Sequence, residues 1–344
     1  MLTVALDVEH GHQSHAGTVR YSRGLADALR KRGDVDVIEV GNGHFAGVYG
    51  IRKKILTINQ DLVWYPWRGR AAARAAGAQV YHCPTARAPL SRGRPPLIVT
   101  IQDLVTLRFP ETMPRWSRIY SRATLRAAVR AADIILTTSQ DTADDLMSLL
   151  GVSPDRIRVA HIGIDDRFFS PPSSLSIVEG PYILFVGTAE PRKNLHRLSA
   201  AVRLLRARGF KERLVLAGGR GWGDELRDPD VLRLGRVPDE NLPGLYANAS
   251  CLAIPSLHEG FGLPALEAMA SGTAVVAANT GALPEITAGA AVLVAPLIVS
   301  DIANGLERAI RGRETWVARG RLRAGQFRWA DTAATVASVY RELA

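Results

Sequence analysis

Short runs of aliphatic and β-branched residues alternate along the chain with longer stretches in which apolar residues recur at helical spacing. The short runs have the composition of buried strands, and the longer stretches have the pattern of amphipathic helices. In the first half the predicted strands are Thr3–Asp7, Val35–Val40, Val80–His82, Leu97–Ile101, Ile134–Thr138 and Arg158–Ala160. The predicted helices between them include Thr18–Arg32, Arg115–Ala131 and Gln140–Leu150. This alternation predicts right-handed βαβ units and a parallel sheet.

A second series of the same kind follows a break. The segment Phe169–Pro181 is rich in proline and serine, which is typical of a linker. The strands predicted beyond it are Tyr182–Gly187, Arg213–Ala217, Val231–Leu234, Cys251–Ile254, Ala274–Ala277 and Ala291–Val294. The helices predicted there are Asn194–Arg208, Glu240–Asn248, Pro264–Ala270, Asp301–Arg311, Glu314–Ala324 and Asp331–Leu343.

These two series predict an α/β protein with two doubly wound, Rossmann-like domains. We place the first domain at residues 1–170, the linker at 171–181 and the second domain at 182–328. A closing helix is predicted at 329–344, and we leave open that it packs back on the first domain. The length of 344 residues agrees with two domains. Such a pair is expected to bind its ligand in a cleft at the carboxyl ends of the strands.

Composition narrows the functional classes. Hydrophobic residues make up 47% and charged residues 22%, which excludes wholesale disorder. The two cysteines, Cys83 and Cys251, are too few for a disulfide framework or a cysteine-based zinc site. The net charge is +10, and residues 52–130 alone carry 15 basic groups against Asp61, Asp103 and Glu111. An anionic partner near this stretch is therefore expected, such as a membrane surface, a nucleic acid or a phosphorylated substrate.

The apolar segments are too short for a membrane span. The longest, Ala290–Val299, is about half of what a bilayer crossing requires. The first residues also lack the basic leader of a secretory signal. We therefore expect a cytoplasmic protein, and we leave open a peripheral position at the inner face of the plasma membrane.

The segment from His258 to Glu267 is the most informative part of the chain. Gly260 and Gly262 permit a tight turn, and Pro264 suits the first position of a helix. The start of that helix directs N–H groups and partial positive charge outward, which favours an anion. Glu259 before the helix and Glu267 within it are suited to accept hydrogen bonds from the hydroxyls of a ribose or a hexose.

Seven residues separate Glu259 from Glu267 and include Gly-Phe-Gly-Leu-Pro, which resembles the signature of family-four retaining glycosyltransferases with the GT-B fold. The turn Gly187–Asn194 resembles the phosphate-binding turn of that family. In the first half, Ala16-Gly17 resembles the glycine loop before the first helix, and Val99–Leu104 resembles a strand end that normally reads His-Asp-Leu. The resemblance spans about the whole chain and is most specific in the second half.

The resemblance implies a donor site for a nucleotide-diphosphate sugar. Arg192 and Lys193 would bind the diphosphate and stabilise it as the leaving group, and Glu267 would hold the ribose hydroxyls. The donor sugar would be held by Glu259 and the backbone N–H groups of Phe261, Gly262 and Leu263. The remaining predicted donor-binding residues are Gly17, Thr188 and Gly260.

The implied reaction transfers a hexose, such as mannose or glucose, with retention of anomeric configuration. The acceptor would be a glycan, a lipid-linked intermediate or a small molecule. In such enzymes the leaving phosphate takes the acceptor proton, which differs from the paired carboxylates of retaining glycosidases. The resemblance implies no cofactor and no metal ion, with the nucleotide-diphosphate sugar as co-substrate.

Two positions depart from the family pattern. Gln102 stands where a histidine is common, and a glutamine can hydrogen-bond a sugar but cannot transfer a proton. Asp103 is retained beside it, so we expect activity to survive. Ala16 stands where a second glycine is frequent and is expected to restrict the loop. The alternatives are a non-catalytic GT-B subunit that binds an enzyme or a glycan, and a nucleotide-sugar epimerase.

Five arginines recur at spacings of three or four residues in the predicted helix Arg115–Ala131. They are Arg115, Arg118, Arg122, Arg126 and Arg130, which share one helix face. This face is either a solvated surface or a patch that meets anionic lipid headgroups or the acceptor. No nucleic-acid recognition motif accompanies it, so we expect no nucleic-acid partner.

Asp34 and Asp36 have the spacing of a metal-binding pair in other sugar transferases. They follow Gly33 directly, at a helix-to-strand turn far from the expected carboxyl ends of the strands. We therefore assign them no metal.

Overall fold

The computed structural model describes residues 1–8, 17–41, 60–112, 115–171, 177–222 and 226–344, with backbone alone at 60–62, 112 and 115–117. The predicted loop residue Ala16 lies outside the described residues. The chain forms two compact units, one of residues 1–163 together with 328–344 and one of residues 164–327. The first unit thus ends at Gly163, earlier than the predicted boundary at residue 170. Within the described residues, no helix is long and apolar enough to cross a bilayer.

The first unit contains a six-stranded parallel sheet. Its strands are β1 (Leu2–Asp7), β2 (Val35–Val40), β3 (Val80–Cys83), β4 (Leu97–Ile101), β5 (Ile134–Thr137) and β6 (Ile157–Val159). Its helices are α1 (Gly17–Arg32), α2 (Gly69–Ala75), α3 (Val105–Arg108), α4 (Arg115–Ala131), α5 (Gln140–Leu150) and, at the end of the chain, α12 (Trp329–Leu343). The strand order is β2-β1-β3-β4-β5-β6.

The second unit contains another six-stranded parallel sheet. Its strands are β7 (Tyr182–Val186), β8 (Arg213–Ala217), β9 (Val231–Gly235), β10 (Cys251–Ile254), β11 (Val275–Ala278) and β12 (Val292–Val294). Its helices are α6 (Leu195–Ala207), α7 (Leu242–Ala247), α8 (Leu263–Ala270), α9 (Leu283–Thr287), α10 (Val299–Arg311) and α11 (Arg313–Ala324). The strand order is β12-β11-β10-β7-β8-β9.

Strand position explains the apolar pattern of the sequence. The central strands β3, β4, β5, β10 and β11 are buried at every residue, because helices cover both faces of a parallel sheet. The edge strands β2 and β9 keep partly exposed positions. A continuous run of aliphatic residues therefore marks an interior strand, and a mixed run marks an edge.

Strand order in the second unit determines where a ligand can bind. The chain builds β7, β8 and β9 towards one edge and then returns to place β10 on the other side of β7. At such a reversal the loops after the two neighbouring strands diverge and leave a crevice at their carboxyl ends. The loops at this point follow Val186 and Ile254, and they contain the predicted residues Lys193 and Glu259.

The closing helix α12 packs against α1 in the first unit. A methyl group added at Gly24 of α1 would lie 2.1 Å from the ring of Trp329, so only glycine admits this approach. The Tyr340 hydroxyl lies 2.7 Å from Nδ1 of the buried His82, whose Nε2 lies 2.8 Å from the Thr100 hydroxyl. Burial lowers the pKa of His82 to about 3, so this histidine is neutral and serves the packing of α12.

Arg341 of α12 also donates to the Asp34 carboxylate, which accepts two further hydrogen bonds from Arg32 at 3.1 and 2.8 Å. The hydrogen bonds from Arg32 hold the pKa of Asp34 at about 2, against the opposing effect of desolvation. The Asp34 carboxylate is thus hydrogen-bonded to two guanidinium groups, and the one from Arg341 links it to the closing helix.

The π-helical stretch Gln60–Arg68 and α2, which follows it, are absent from the predicted elements. Pro66 lies inside the stretch and argues against a helix in the sequence, because proline lacks the N–H that a helix interior requires. Tertiary contacts stabilise the stretch instead. The Trp64 indole donates to the buried Asp7 carboxylate at 3.0 Å, and the Tyr81 hydroxyl donates to the same oxygen at 2.6 Å.

Candidate active site

A cationic turn follows β7 at the reversal of strand order. Residues Pro191–Lys193 form one 3-10 turn, and Asn194 then adopts a left-handed backbone with φ of 60° before α6 begins. The Arg192 carbonyl accepts from the Leu257 N–H at 2.8 Å, which fastens the turn to the loop after β10. The turn therefore presents two consecutive cations to that loop.

Lys193 and Glu259 form an ion pair across the two loops. The Lys193 ammonium donates to both carboxylate oxygens of Glu259, at 2.7 and 2.9 Å. The two side chains are only 14% and 12% exposed. Because little water screens this contact, the pair is stronger than a surface salt bridge.

Arg192 lies between two carboxylates. Its guanidinium donates to Glu259 at 3.1 Å and to Glu190 at 2.5 Å, and it also donates to the His258 carbonyl. Two cations and two anions thus alternate in one partly buried cluster formed by Glu190, Arg192, Glu259 and Lys193. The cluster is neutral overall, so its cations are held in place without a bound anion.

The environment of Glu259 determines its charge. Burial of this carboxyl by itself raises its pKa, but the positive charges of Lys193 and Arg192 outweigh burial and lower the pKa to about 2. Glu259 is therefore an anion at neutral pH. It can accept hydrogen bonds from a hydroxyl group but cannot serve as a general acid.

The segment after Glu259 leads into α8 through a glycine turn. Gly262 has a φ of 96°, and a methyl group there would lie 2.7 Å from the Leu283 side chain. Pro264 follows in the first turn of α8, where its missing N–H costs nothing. Gly260 and Phe261 are buried, and the ring of Phe261 packs edge-on against Phe327. The N–H groups at the start of α8 therefore have a rigid support.

Glu267 lies in α8 and is buried. Its carboxylate accepts a hydrogen bond of 2.8 Å from the Tyr246 hydroxyl of α7. The Tyr246 ring packs edge-on against Phe168, which fixes the direction of this hydroxyl. The carboxylate is thus oriented by a buried partner. Thr188, in contrast, is exposed in the turn after β7.

In the first unit, Gln102 follows β4 and contacts the start of α1. The Thr18 hydroxyl donates to Oε1 of Gln102 at 3.2 Å, next to the exposed Gly17 that begins α1. The amide nitrogen of Gln102 is buried and has no hydrogen-bond partner in the described part of the chain. Asp103 is exposed, and its side chain accepts from the Val105 N–H at 3.2 Å. Gly17 and Gln102, two predicted residues, are therefore neighbours.

The helix α4 spans the predicted residues Arg115–Ala131. Arg126 and Arg130 are exposed, Arg118 and Arg122 are half-buried, and the side chain of Arg115 lies outside the described part. Ile119 on the same helix is 76% exposed, which the sequence pattern did not single out. The helix thus presents arginines together with one large exposed apolar side chain.

Three residues at the site were missed by the sequence reasoning. Glu190 and Asn194 flank the cationic pair, and Tyr246 orients Glu267. A signal was present for the first two, since a glutamate two residues before a basic dipeptide and an asparagine directly after it stand in one short loop. Tyr246 carries no such signal, because an aromatic residue in an apolar helix usually serves the core alone.

Comparison with known proteins identifies the family of this chain. Residues 180–311 match the family model described as Glycosyl transferases group 1, and residues 15–168 match the model described as Glycosyltransferase Family 4. The O-antigen chain mannosyltransferase B of Escherichia coli is 31% identical over 314 residues, which is 85% of this chain and 82% of that protein. The chain belongs to glycosyltransferase family 4.

Solved structures share the fold of this family-4 glycosyltransferase. Sucrose-phosphate synthase from Thermosynechococcus elongatus superposes with a TM-score of 0.76 at 21% identity, covering 100% of this chain and 99% of that one. Alr3699/HepE of Anabaena, solved in complex with UDP and glucose, gives a TM-score of 0.73 at 17% identity, covering 99% and 100%. The predicted GT-B fold and the predicted family are thus confirmed.

Proposed function

We propose that this glycosyltransferase transfers mannose from a nucleotide-diphosphate mannose to a glycan of the O-antigen type. The observation that carries the proposal is the cluster of Arg192, Lys193 and Glu259 at the strand-order reversal of the second unit. The choice of mannose and of a surface glycan follows the similarity to the mannosyltransferase of Escherichia coli.

The two cations are assigned to the diphosphate. A diphosphate brings negative charge that increases on the leaving oxygen as the glycosidic bond breaks. Lys193 and Arg192 are already held by Glu259 and Glu190, so little reorganisation is needed when this charge develops. On arrival of the diphosphate, Glu259 exchanges part of its contact with Lys193 for the hydroxyl groups of the sugar.

The remaining roles are those that the resemblance to the family implies. Glu267, oriented by Tyr246, accepts hydrogen bonds from the ribose hydroxyls. The N–H groups of Phe261, Gly262 and Leu263 at the start of α8 bind the donor, and Gly260 allows the backbone to turn towards it. The family resemblance assigns phosphate contacts to Thr188 in the turn after β7 and, in the first unit, to Gly17 at the start of α1. The resemblance likewise assigns contact with the donor sugar to Gln102, beside Asp103, and the Gln102 amide nitrogen has no partner among the described residues.

We further propose retention of anomeric configuration and no requirement for a metal ion. The ionised Glu259 is engaged by two cations, which disfavours it as a nucleophile. The positive charge that a metal ion would otherwise supply is present in Lys193, Arg192 and the start of α8. With an α-linked donor, proton NMR of the fresh product should show an α-linkage. Turnover should be unchanged by EDTA.

The experiment combines donor binding with turnover. A panel of GDP-mannose, UDP-glucose and ADP-glucose is screened by thermal shift, where a ligand at 100 times its dissociation constant stabilises by about 2.7 kcal/mol. GDP-mannose should stabilise most and should be turned over. Replacing Lys193 by Ala should lower kcat roughly 10²- to 10³-fold, the cost of losing one contact to the developing charge.

The control for this substitution is Lys211→Ala, which removes an exposed lysine from the same unit. This variant should keep the parental kcat. Full turnover in the Lys193→Ala protein would contradict the assignment of the diphosphate to this cation.

A non-catalytic subunit is the second candidate, and the observation that favours it is Gln102 in place of the histidine common in the family. The Gln102→His variant distinguishes the two. If Gln102 serves as a hydrogen-bond donor, the parental protein is active and the variant is active to a similar degree. A protein inert with every donor until histidine is introduced would favour the subunit.

A further inference from the structure

Asn194, which follows Lys193 directly, makes a set of buried hydrogen bonds that the proposed chemistry does not use. Its side-chain amide donates to the Pro255 carbonyl at 3.0 Å and to the Pro296 carbonyl at 2.6 Å. Its own carbonyl oxygen on the side chain accepts from Arg197 at 3.1 Å. Asn194 is only 5% exposed. It therefore joins the loops after β7, β10 and β12 at one edge of the sheet.

These contacts bracket Lys193. On one side, the Arg192 carbonyl accepts from the Leu257 N–H at 2.8 Å, and on the other side Asn194 donates to the Pro255 carbonyl. The Lys193 backbone is thus fastened to the loop that carries Glu259 at both neighbouring residues. The loop after β12 is itself fixed, because Asp301 accepts from the Ala295 N–H at 2.7 Å. The position of the Lys193 backbone thus depends on the loops after β10 and β12 as well as on its own turn.

Asparagine meets both requirements of this position. The backbone is left-handed, with φ of 60°, a conformation that asparagine tolerates better than most other residues with a side chain. Its amide also offers two N–H donors, which match the two carbonyls. Glycine would satisfy the backbone but offers no donor. Aspartate would keep the shape but presents an acceptor to two carbonyl oxygens.

We propose that Asn194 is a positioning residue that acts through Lys193. The inference rests on the proposed role of Lys193 at the diphosphate. By fixing the backbone of the turn, Asn194 determines where the ammonium meets the departing phosphate. Small displacements of such a group are costly, because about 1 Å of misplacement can lower a rate by roughly 10²-fold. The loss should appear in kcat more than in KM, since the charge on the leaving oxygen is greatest in the transition state.

The test is a double-mutant cycle. Asn194→Gly and Asn194→Asp are prepared in the parental protein and in the Lys193→Ala background, and GDP release from GDP-mannose is measured in all of them. Binding of GDP, UDP and ADP is measured by calorimetry as a readout independent of turnover. In the parental background both substitutions should lower kcat by about tenfold to 10²-fold. In the Lys193→Ala background they should lower it less than about twofold, because a residue that acts through another has no further effect once that residue is gone.

Asn248→Gly is the matched control. Asn248 also donates its side-chain amide to a backbone carbonyl, that of Gly244 at 2.8 Å, at the end of α7. This variant should share a modest loss of thermal stability but should leave kcat and nucleotide binding unchanged.

The outcomes separate the inference from the proposed function. Equal factors for Asn194→Gly in both backgrounds, or full turnover in Asn194→Gly with its amide donors gone, would overturn the positioning role alone. Full turnover in Lys193→Ala, or no binding of any of the three nucleotides, would overturn the role of Lys193 and this inference with it. Loss of turnover in Asn194→Gly that vanishes in Lys193→Ala supports the positioning role.

Discussion

The charge state of Glu259 links residue chemistry to the stability of the second unit. Its pKa is 4.5 in the unfolded chain and about 2 in the folded protein. Burial alone would raise the pKa, but Lys193 and Arg192 stabilise the anion and outweigh this effect. A group with a depressed folded pKa stabilises the protein above its unfolded pKa and loses that contribution as pH falls. The stabilisation is therefore complete above about pH 5 and declines towards pH 2.

The prediction compares the parental protein with Glu259→Gln. Near pH 6 the variant should be less stable by on the order of 3 kcal/mol, because glutamine leaves the buried Lys193 without its anion and Arg192 with Glu190 alone. The difference should shrink between pH 4.5 and pH 2.5, where the carboxyl of the unfolded parental chain takes up a proton while the folded carboxyl is still ionised. Urea denaturation at each pH measures it. A difference that stays constant over this range would contradict the ionised pair.

Local sequence patterns predicted individual site residues but not the residues that they contact. Glu259, Glu267 and Lys193 were predicted because they stand in short motifs. Their partners were not predictable in the same way. The pair of Lys193 and Glu259 joins residues 66 positions apart, and its formation depends on β7 and β10 being neighbours. That adjacency follows from strand order, which no local spacing specifies.

At the scale of elements, the periodic segments were predicted well and the irregular ones were not. The strands β2, β4, β8 and β10 and the helix α4 have the predicted bounds. The π-helical stretch Gln60–Arg68 was missed because its stability comes from contacts with the distant Asp7 and not from its own pattern. The helix α7 is shorter than the predicted Glu240–Asn248, since it begins only at Leu242.

The helix α4 carries the prediction of membrane docking. We propose that Arg115, Arg118, Arg122, Arg126 and Arg130 hold the protein on anionic lipid, with the exposed Ile119 entering the interface. Each basic residue near such a surface contributes about 1 kcal/mol. Binding to vesicles of anionic lipid should therefore exceed binding to neutral vesicles. It should fall with salt, because the Debye length drops from about 10 Å at 0.1 M to about 3 Å at 1 M.

Two variants with equal loss of charge test this docking by co-sedimentation. One replaces Arg118, Arg122 and Arg126 by Gln, and the control replaces the exposed Arg227, Arg236 and Arg319 by Gln. Only the first should lose binding to anionic vesicles. Equal loss in both would indicate a general effect of net charge, and no loss in the first would leave α4 as a solvated surface.

At the scale of the whole molecule, the chain leaves the first unit at Gly163 and returns to it at Arg328. The first unit is thus discontinuous, and it is completed by α12. Removing this helix would take away Trp329, which packs against Gly24, and Tyr340, whose hydroxyl contacts the buried His82. The second unit, residues 164–327, is continuous and has its own core.

This organisation predicts different behaviour of the two units as fragments. A fragment of residues 164–327 should unfold cooperatively with heat, because its contacts lie within one continuous segment. A fragment of residues 1–163 should be less stable until a peptide of residues 328–344 is added. Circular dichroism during thermal unfolding measures both. A fragment 1–163 whose midpoint is unchanged by the peptide would contradict the role of α12.

The sequence by itself determined the order of strands and helices along the chain, the parallel sheets and the identity of the charged residues at the site. These features depend on residue spacing over a few turns, which backbone geometry converts directly into local structure. Only the tertiary structure decided that Glu259 pairs with Lys193, that Tyr246 orients Glu267 and that Asn194 joins three loops. These contacts form between loops brought together by strand order, so their partners are distant in sequence. The return of α12 to the first unit is also a tertiary feature, since it brings Tyr340 to a histidine 258 positions away in the sequence.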